Sequence, residues 1–209
     1  KQKTAYEMLR SLVGSEMCIR DSAYPQFIDG ISVLHTGLNN MGAIFHPALT
    51  ILNAGRIEAT RGDFQFYIEG VTPSVARVLE VLDRERVTVA AALGIRARTA
   101  LDWLKMAYDA TGADLYEAIH NQPGYYGIKA PPTLNHRYIT EDVPASLVPI
   151  AALGERYGVS VRGMDSIIRL ACIIQRTDYW QRGRTLERMG IEWMSVSEVT
   201  RYVMEGVRL

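Results

Sequence analysis

The chain has 209 residues, 48% of them hydrophobic, enough for one large core or two small ones. Lys+Arg and Asp+Glu both number 23, so the formal net charge is zero, which argues against nucleic-acid or membrane-surface binding driven by bulk charge. The two cysteines, Cys18 and Cys172, belong to no CxxC or Cys/His cluster, so neither a zinc site nor a disulfide framework is expected and a reducing cytoplasm fits.

No apolar run is long enough to span a membrane, and the residues after Lys1 lack the apolar core of a signal peptide. The first residue is Lys1 rather than Met, which reads as a fragment or a misread frame. Residues 11–22, beginning Ser11-Leu12-Val13-Gly14-Ser15, resemble a translated sequencing-adaptor read-through. Residues 1–22 are therefore expected to be an artefactual or disordered leader, with a genuine N-terminal helix as the alternative. The folded domain is expected over 23–209.

From Ala23 onward the pattern is helical. The segment from Ile31 to Ile57 predicts two helices broken near Pro47. Phe64 to Ile68 alternates weakly, but a lone strand has no partner, so loop or helix end is expected. Thr72-Pro73 is a helix start, an N-cap followed by proline at the first position. Val75, Val78, Leu79, Leu82, Val89, Ala90 and Leu93 continue at helical spacing, Glu80 and Arg84 are expected to pair one turn apart, and Gly94 is a stop.

A second helix is expected around 99–110. A loop covers 121–135, with Gly124, Gly127 and Pro131-Pro132. Pro144 opens a helix that Gly158 closes. Met164 to Ile174 is apolar on most faces except Arg169 and reads as a buried helix. Ser195-x-x-Glu198 is a capping box for a final helix. The expected class is all-α.

None of the 17 glycines forms a GxGxxG turn, and there is no P-loop, GxSxG elbow or HExxH motif. The chemistry concentrates instead in His46-Pro47 and in Arg137-Tyr138-Ile139-Thr140-Glu141-Asp142-Val143-Pro144. With residues 38–47, 53–58, 66–72, 102–104, 126–131 and 183–187 in order, these strings resemble the NAD/NADP octopine/nopaline (opine) dehydrogenases over about residues 24–192.

The resemblance implies the helical substrate domain of that family, of the 6-phosphogluconate dehydrogenase C-terminal-like type. A Rossmann domain in cis, absent from this sequence, would hold NAD or NADP. The reaction would condense an amino acid with a 2-oxo acid and reduce the imine. His46 would be the acid/base, Asp142 would orient it, Arg137 would bind substrate carboxylate, and Asn40 is a weaker substrate or cofactor contact. The chain alone is expected to be inactive, cytoplasmic, without nucleic-acid or membrane partners, and open to pairing as a homodimer.

The residue types suit this chemistry independently. Loss of water in imine formation needs a proton donor, and a histidine accepts and gives protons near neutral pH. A carboxylate fixes its tautomer, and a guanidinium fork grips a carboxylate at two points.

Other readings stay open. His46 fits a helix start bonded to backbone, Asp142 an N-cap for the Pro144 helix, Arg137 a surface ion pair and Asn40 a helix-end cap. Gly42 stands where many relatives carry an Asn. Trp103 lines a pocket or anchors the core, and Tyr125-Tyr126 form a lid or pack over it. His35, His120 and His136 read as structural or exposed. The rivals are a 2-hydroxy-acid or ketopantoate-type reductase domain, which would need no amine, and a non-catalytic helical interaction domain, which would not bring His46, Asp142 and Arg137 together.

Overall fold

The computed structural model describes residues 30–206, so the expected leader at 1–22, with Cys18, lies outside the described residues. Backbone packing separates Lys1–Ile31 from Ser32–Leu209, and every described helix belongs to the second unit. These helices are α1 (Val33–Leu38), α2 (Gly42–Leu52), α3 (Ala54–Thr60), α4 (Pro73–Ala92), α5 (Ala100–Tyr108), α6 (Leu115–His120) and α7 (Arg137–Thr140). A π-helical turn (Val143–Leu147) runs into α8 (Val148–Arg156), followed by α9 (Arg162–Gln175), α10 (Tyr179–Arg182), α11 (Leu186–Met189) and α12 (Val196–Glu205). Among the described residues there is no strand, only an isolated bridge between Gln65 and Lys129. The domain is all-α, as the sequence predicts.

The helix ends follow local chemistry. The Thr72 hydroxyl accepts from the Val75 N–H ahead of Pro73, and α4 stops at Leu93 before Gly94, whose φ is +72°. Thr99 caps α5 through the Asp102 N–H. Ser195 and Glu198 form the reciprocal capping box of α12. At the centre α4 packs on α2, α8 and α9, burying Leu79, Leu82, Val89 and Ala90. Opposite them α2 buries Ile44, Phe45, Leu49 and Ile51, and α9 buries Met164, Ile167, Ile168 and Ala171. Each large aliphatic side chain removed from water contributes roughly 1.5–3 kcal/mol.

Three expectations are corrected. Pro47 does not break its helix: it lies inside α2, and the breaks fall at Asn39–Met41 and at Asn53. A helix-interior proline costs about 3 kcal/mol or more, which the burial of most of α2 offsets. Asn53 ends α2 because its side-chain amide donates to the carbonyls of Leu49 (2.9 Å) and Gly70 (3.1 Å).

Second, α9 is not buried all round. Ile173 is 72% exposed and Leu170 is also exposed, because α9 packs on the core with one face only. Third, Glu80 does not pair with Arg84; its carboxylate accepts the Leu115 N–H (3.2 Å) and ties α4 to α6. No described helix is long and apolar enough to cross a membrane.

Candidate active site

His46 sits in α2, and Asp142 immediately precedes the π-helical turn. The tertiary fold joins these distant positions: α2 packs against both α7 and that turn. His46 Nδ1 lies 2.7 Å from Asp142 Oδ2, with the side chains 24% and 16% exposed. A carboxylate oxygen only accepts, so this contact assigns the Nδ1 proton to the imidazole and leaves Nε2 with no protein partner among the described residues. Asp142 makes no capping bond with its side chain, so the N-cap reading of its carboxylate is set aside.

The turn that presents Asp142 has a physical cause. The Pro144 carbonyl accepts the Arg184 N–H (2.8 Å), and the Val148 N–H reaches instead to the Val143 carbonyl, five residues back. Pro149, one residue on, has no N–H to give. Gly183 permits the close approach: a Cβ there would stand 2.7 Å from the Tyr179 carbonyl oxygen, 2.8 Å from Val148 Cγ1 and 3.0 Å from the Pro144 oxygen. The string at 183–187 thus buttresses the segment that carries Asp142.

Two neighbours confine the imidazole. Tyr138 stacks on it, with centroids 4.1 Å apart and planes 18° apart. Gly42 faces its edge, where a Cβ would meet His46 Cε1 and Nδ1 at 3.3 Å. Asn40, in the turn between α1 and α2, accepts the Gly42 N–H (3.1 Å) and donates to Ser146 Oγ (3.3 Å). Its side chain therefore links the start of α2 to the π-helical turn, which is closer to the helix-end reading than to a free substrate contact.

Arg137 lies next to Tyr138 in sequence but outside the dyad's hydrogen bonds. It is 65% exposed, and its Nε stands 3.7 Å from Glu141 Oε2, leaving its donor fork largely open to solvent. His136 caps α7 by accepting the Tyr138 N–H at Nδ1 (3.4 Å) and meets the Tyr138 ring edge-on at 4.5 Å. Burial first, then the charges of Arg137 and His46, push the His136 pKa down. Burial likewise raises the Tyr138 phenol, with Arg137 opposing and Asp142 reinforcing.

An aromatic wall continues from the dyad. Phe66 stacks on Tyr138 (5.4 Å), Tyr67 on Tyr125 (4.2 Å), and Trp103 meets Phe45 and Tyr108 edge-on. Burial raises the Tyr67 phenol far above its ordinary value, with Tyr138 and Asp142 among the neighbours that add to the effect. Tyr125 is buried, so it packs inward, whereas Tyr126 is exposed. His35 bonds Ser32 Oγ (2.9 Å), and His120 faces the carbonyls of Tyr116 and Ile68 (both 2.8 Å).

Sequence reasoning overlooked Tyr138 and His136 as site residues. A signal was present: Tyr138 and Asp142 are four apart, the spacing that puts two side chains on one helical face. Among the described residues no group of three or more metal-ligating side chains gathers. None of them forms a strand–turn–helix phosphate cradle, so they do not fit the main surface of a dinucleotide.

The site is thus a histidine–carboxylate dyad on an all-helical domain, with the exposed Arg137 on the neighbouring α7. A family model described as the alpha-helical domain of NAD/NADP octopine/nopaline dehydrogenase matches residues 30–175, and the chain belongs to that family.

Over 178 residues it is 38% identical to an opine dehydrogenase of Arthrobacter sp. (strain 1C), covering 85% of this chain and 49% of that protein. Vitopine synthase of Allorhizobium ampelinum (strain ATCC BAA-846 / DSM 112012 / S4) is 32% identical over 154 residues, covering 73% and 42%. The chain thus spans about half the length of the curated relatives it matches. An octopine dehydrogenase structure with NADH and agmatine superposes with a TM-score of 0.72 at 21% identity, covering 100% of this chain and 56% of that one. Another with NADH and L-arginine gives 0.65 at 20% identity, covering 80% and 48%. At these identities the structural likeness establishes the fold.

Proposed function

We propose that this domain handles substrate and proton for an NAD- or NADP-dependent oxidoreductase that joins an amino acid to a 2-oxo acid. The cofactor is held in the main by a dinucleotide-binding domain outside the described residues, and supplies hydride when bound. One observation carries the reading: the 2.7 Å contact between His46 Nδ1 and Asp142 Oδ2, which leaves Nε2 as the proton-transfer atom.

In this reading the neutral amine attacks the carbonyl carbon, and one of its protons passes to the alkoxide oxygen to give a carbinolamine. Protonated His46 Nε2 gives its proton to the hydroxyl, which departs as water while the nitrogen lone pair forms the C=N bond of an iminium ion, the form that accepts hydride. Asp142 holds the tautomer and stabilises the imidazolium. Arg137 grips a substrate carboxylate through two parallel hydrogen bonds and so orients the reacting carbon. Similarity to an opine dehydrogenase and to octopine dehydrogenase structures with arginine or agmatine supports an amine co-substrate.

The test joins this chain to the dinucleotide-binding half of the Arthrobacter relative and follows oxidation of NADH and NADPH. Turnover should require both an amino acid and a 2-oxo acid. His46→Ala should lower kcat roughly a hundredfold or more. Asp142→Asn should preserve the fold and lower kcat through the wrong tautomer, and Arg137→Lys should act chiefly on KM because an ammonium lacks the planar two-point grip. Near-wild-type kinetics for His46→Ala at saturating substrates would overturn the mechanism. Turnover with the 2-oxo acid alone would move the assignment to a 2-hydroxy-acid reductase.

A further inference from the structure

We propose that Tyr138 is a positioning residue of this site: its ring face fixes the His46 imidazole so that Nδ1 stays on Asp142 and Nε2 points to substrate. The proposal takes its functional meaning from the acid–base reading of His46, but it stands on ring geometry and is tested on the ring.

A single hydrogen bond fixes one atom of an imidazole and leaves the ring free to swivel about that bond. At His46 the plane is fixed as well. The Tyr138 ring lies 4.1 Å away and nearly parallel, at 18°. Tyr138 is itself clamped, stacked on buried Phe66 at 5.4 Å and 21° and met edge-on by His136 at 4.5 Å. Gly42 completes the slot, since a Cβ there would press on Cε1 and Nδ1.

The charged and titratable groups around the imidazole are Asp142 at the π-helical turn and, on α7 and its cap, His136, Arg137, Tyr138 and Glu141. Asp142 supplies the charge and Tyr138 the orientation.

The experiment is nitrogen-15 and carbon-13 NMR of the histidine-labelled chain at pH 8, where an ordinary histidine is neutral. Wild type should show His46 as one tautomer, protonated at Nδ1 and bare at Nε2, with ring protons moved upfield by the Tyr138 ring current. Tyr138→Phe keeps the face and should keep both signatures. Tyr138→Met fills similar space without a face and should keep the Nδ1–H tautomer that Asp142 sets, but lose the upfield shift and show a swivelling imidazole in ring-carbon relaxation.

A folded Tyr138→Met variant whose imidazole stays as rigid as that of wild type overturns the proposal, as does loss of the rigid ring or the upfield shift in Tyr138→Phe. Should Tyr138→Met not fold, the wild-type ring-current shift decides: its presence supports the stack and its absence refutes it. A failed ring-motion result beside an inactive His46→Ala enzyme would remove the positioning role alone. The converse pair of results would remove the acid–base reading alone.

Discussion

His136 lies beside the dyad without bonding to it, and its surroundings disfavour its charged form, by burial first and then by the positive charge of Arg137 and His46. Its folded pKa is therefore below the ordinary value of 6.5. The unfolded chain binds this proton first as pH falls, so His136 contributes stability that is present above about 6.5 and is lost as pH drops through the lowered folded value. Wild type should lose more of its urea midpoint between pH 7.5 and pH 5 than His136→Asn, which keeps a side-chain acceptor for the start of α7. Equal losses would remove His136 from the pH response.

At this scale the sequence showed the dyad but not its surroundings. His46 and Asp142 were legible because each belongs to an ordered string, whereas Tyr138 acts through ring geometry that only the packing of α7 on α2 creates.

Elements were legible where a side chain caps its own helix, as at Thr72-Pro73 and Ser195 with Glu198, because the cause is local. Pro47 misled because local propensity lost to burial of α2. The short helices α3, α6, α7, α10 and α11 present too few turns for a periodic stripe and form where tertiary contacts hold them.

Gly183 belongs to this scale too, since it decides how closely the segment before α11 docks on the π-helical turn. Gly183→Ala places a carbon within 2.7–3.0 Å of two carbonyl oxygens and a valine methyl, so backbone must move. Overpacking of this kind costs about 1–3 kcal/mol, measurable by urea denaturation, and the Asp142–His46 resonances should shift with it. A loss below about 0.5 kcal/mol, the range of an ordinary surface substitution, would mean the buttress is not needed.

At the scale of the whole helical domain, a buried charged node ties together three helices distant in sequence. Arg86 of α4 is 0% exposed, pairs with Asp83 and donates to the carbonyls of Leu38 and Arg98. Asp83 in turn accepts the Ala100 N–H (2.7 Å). This joins the end of α1, the middle of α4 and the start of α5, and Asn39, adjoining Asn40, accepts the Arg98 N–H (2.9 Å). Arg86→Ala leaves a buried carboxylate and two carbonyls without their cation, so a stability loss of about 3–5 kcal/mol is expected, read by thermal or urea unfolding. A loss under about 1 kcal/mol, the worth of a surface pair, would show that the node is dispensable.

The slipped hydrogen bond from Val148 to Val143 has a consequence in phase rather than in chemistry. A π-helical turn winds one more residue than an α-helical turn needs, and one residue of helix corresponds to about 100° of rotation. Deleting a single residue between 143 and 147 would leave the composition of the site intact and α8 in its seat. It would also swing α7 and Asp142 through about that angle, away from His46. The meeting of the two side chains is thus written into the count of residues between Arg137 and Val148 as much as into their identity.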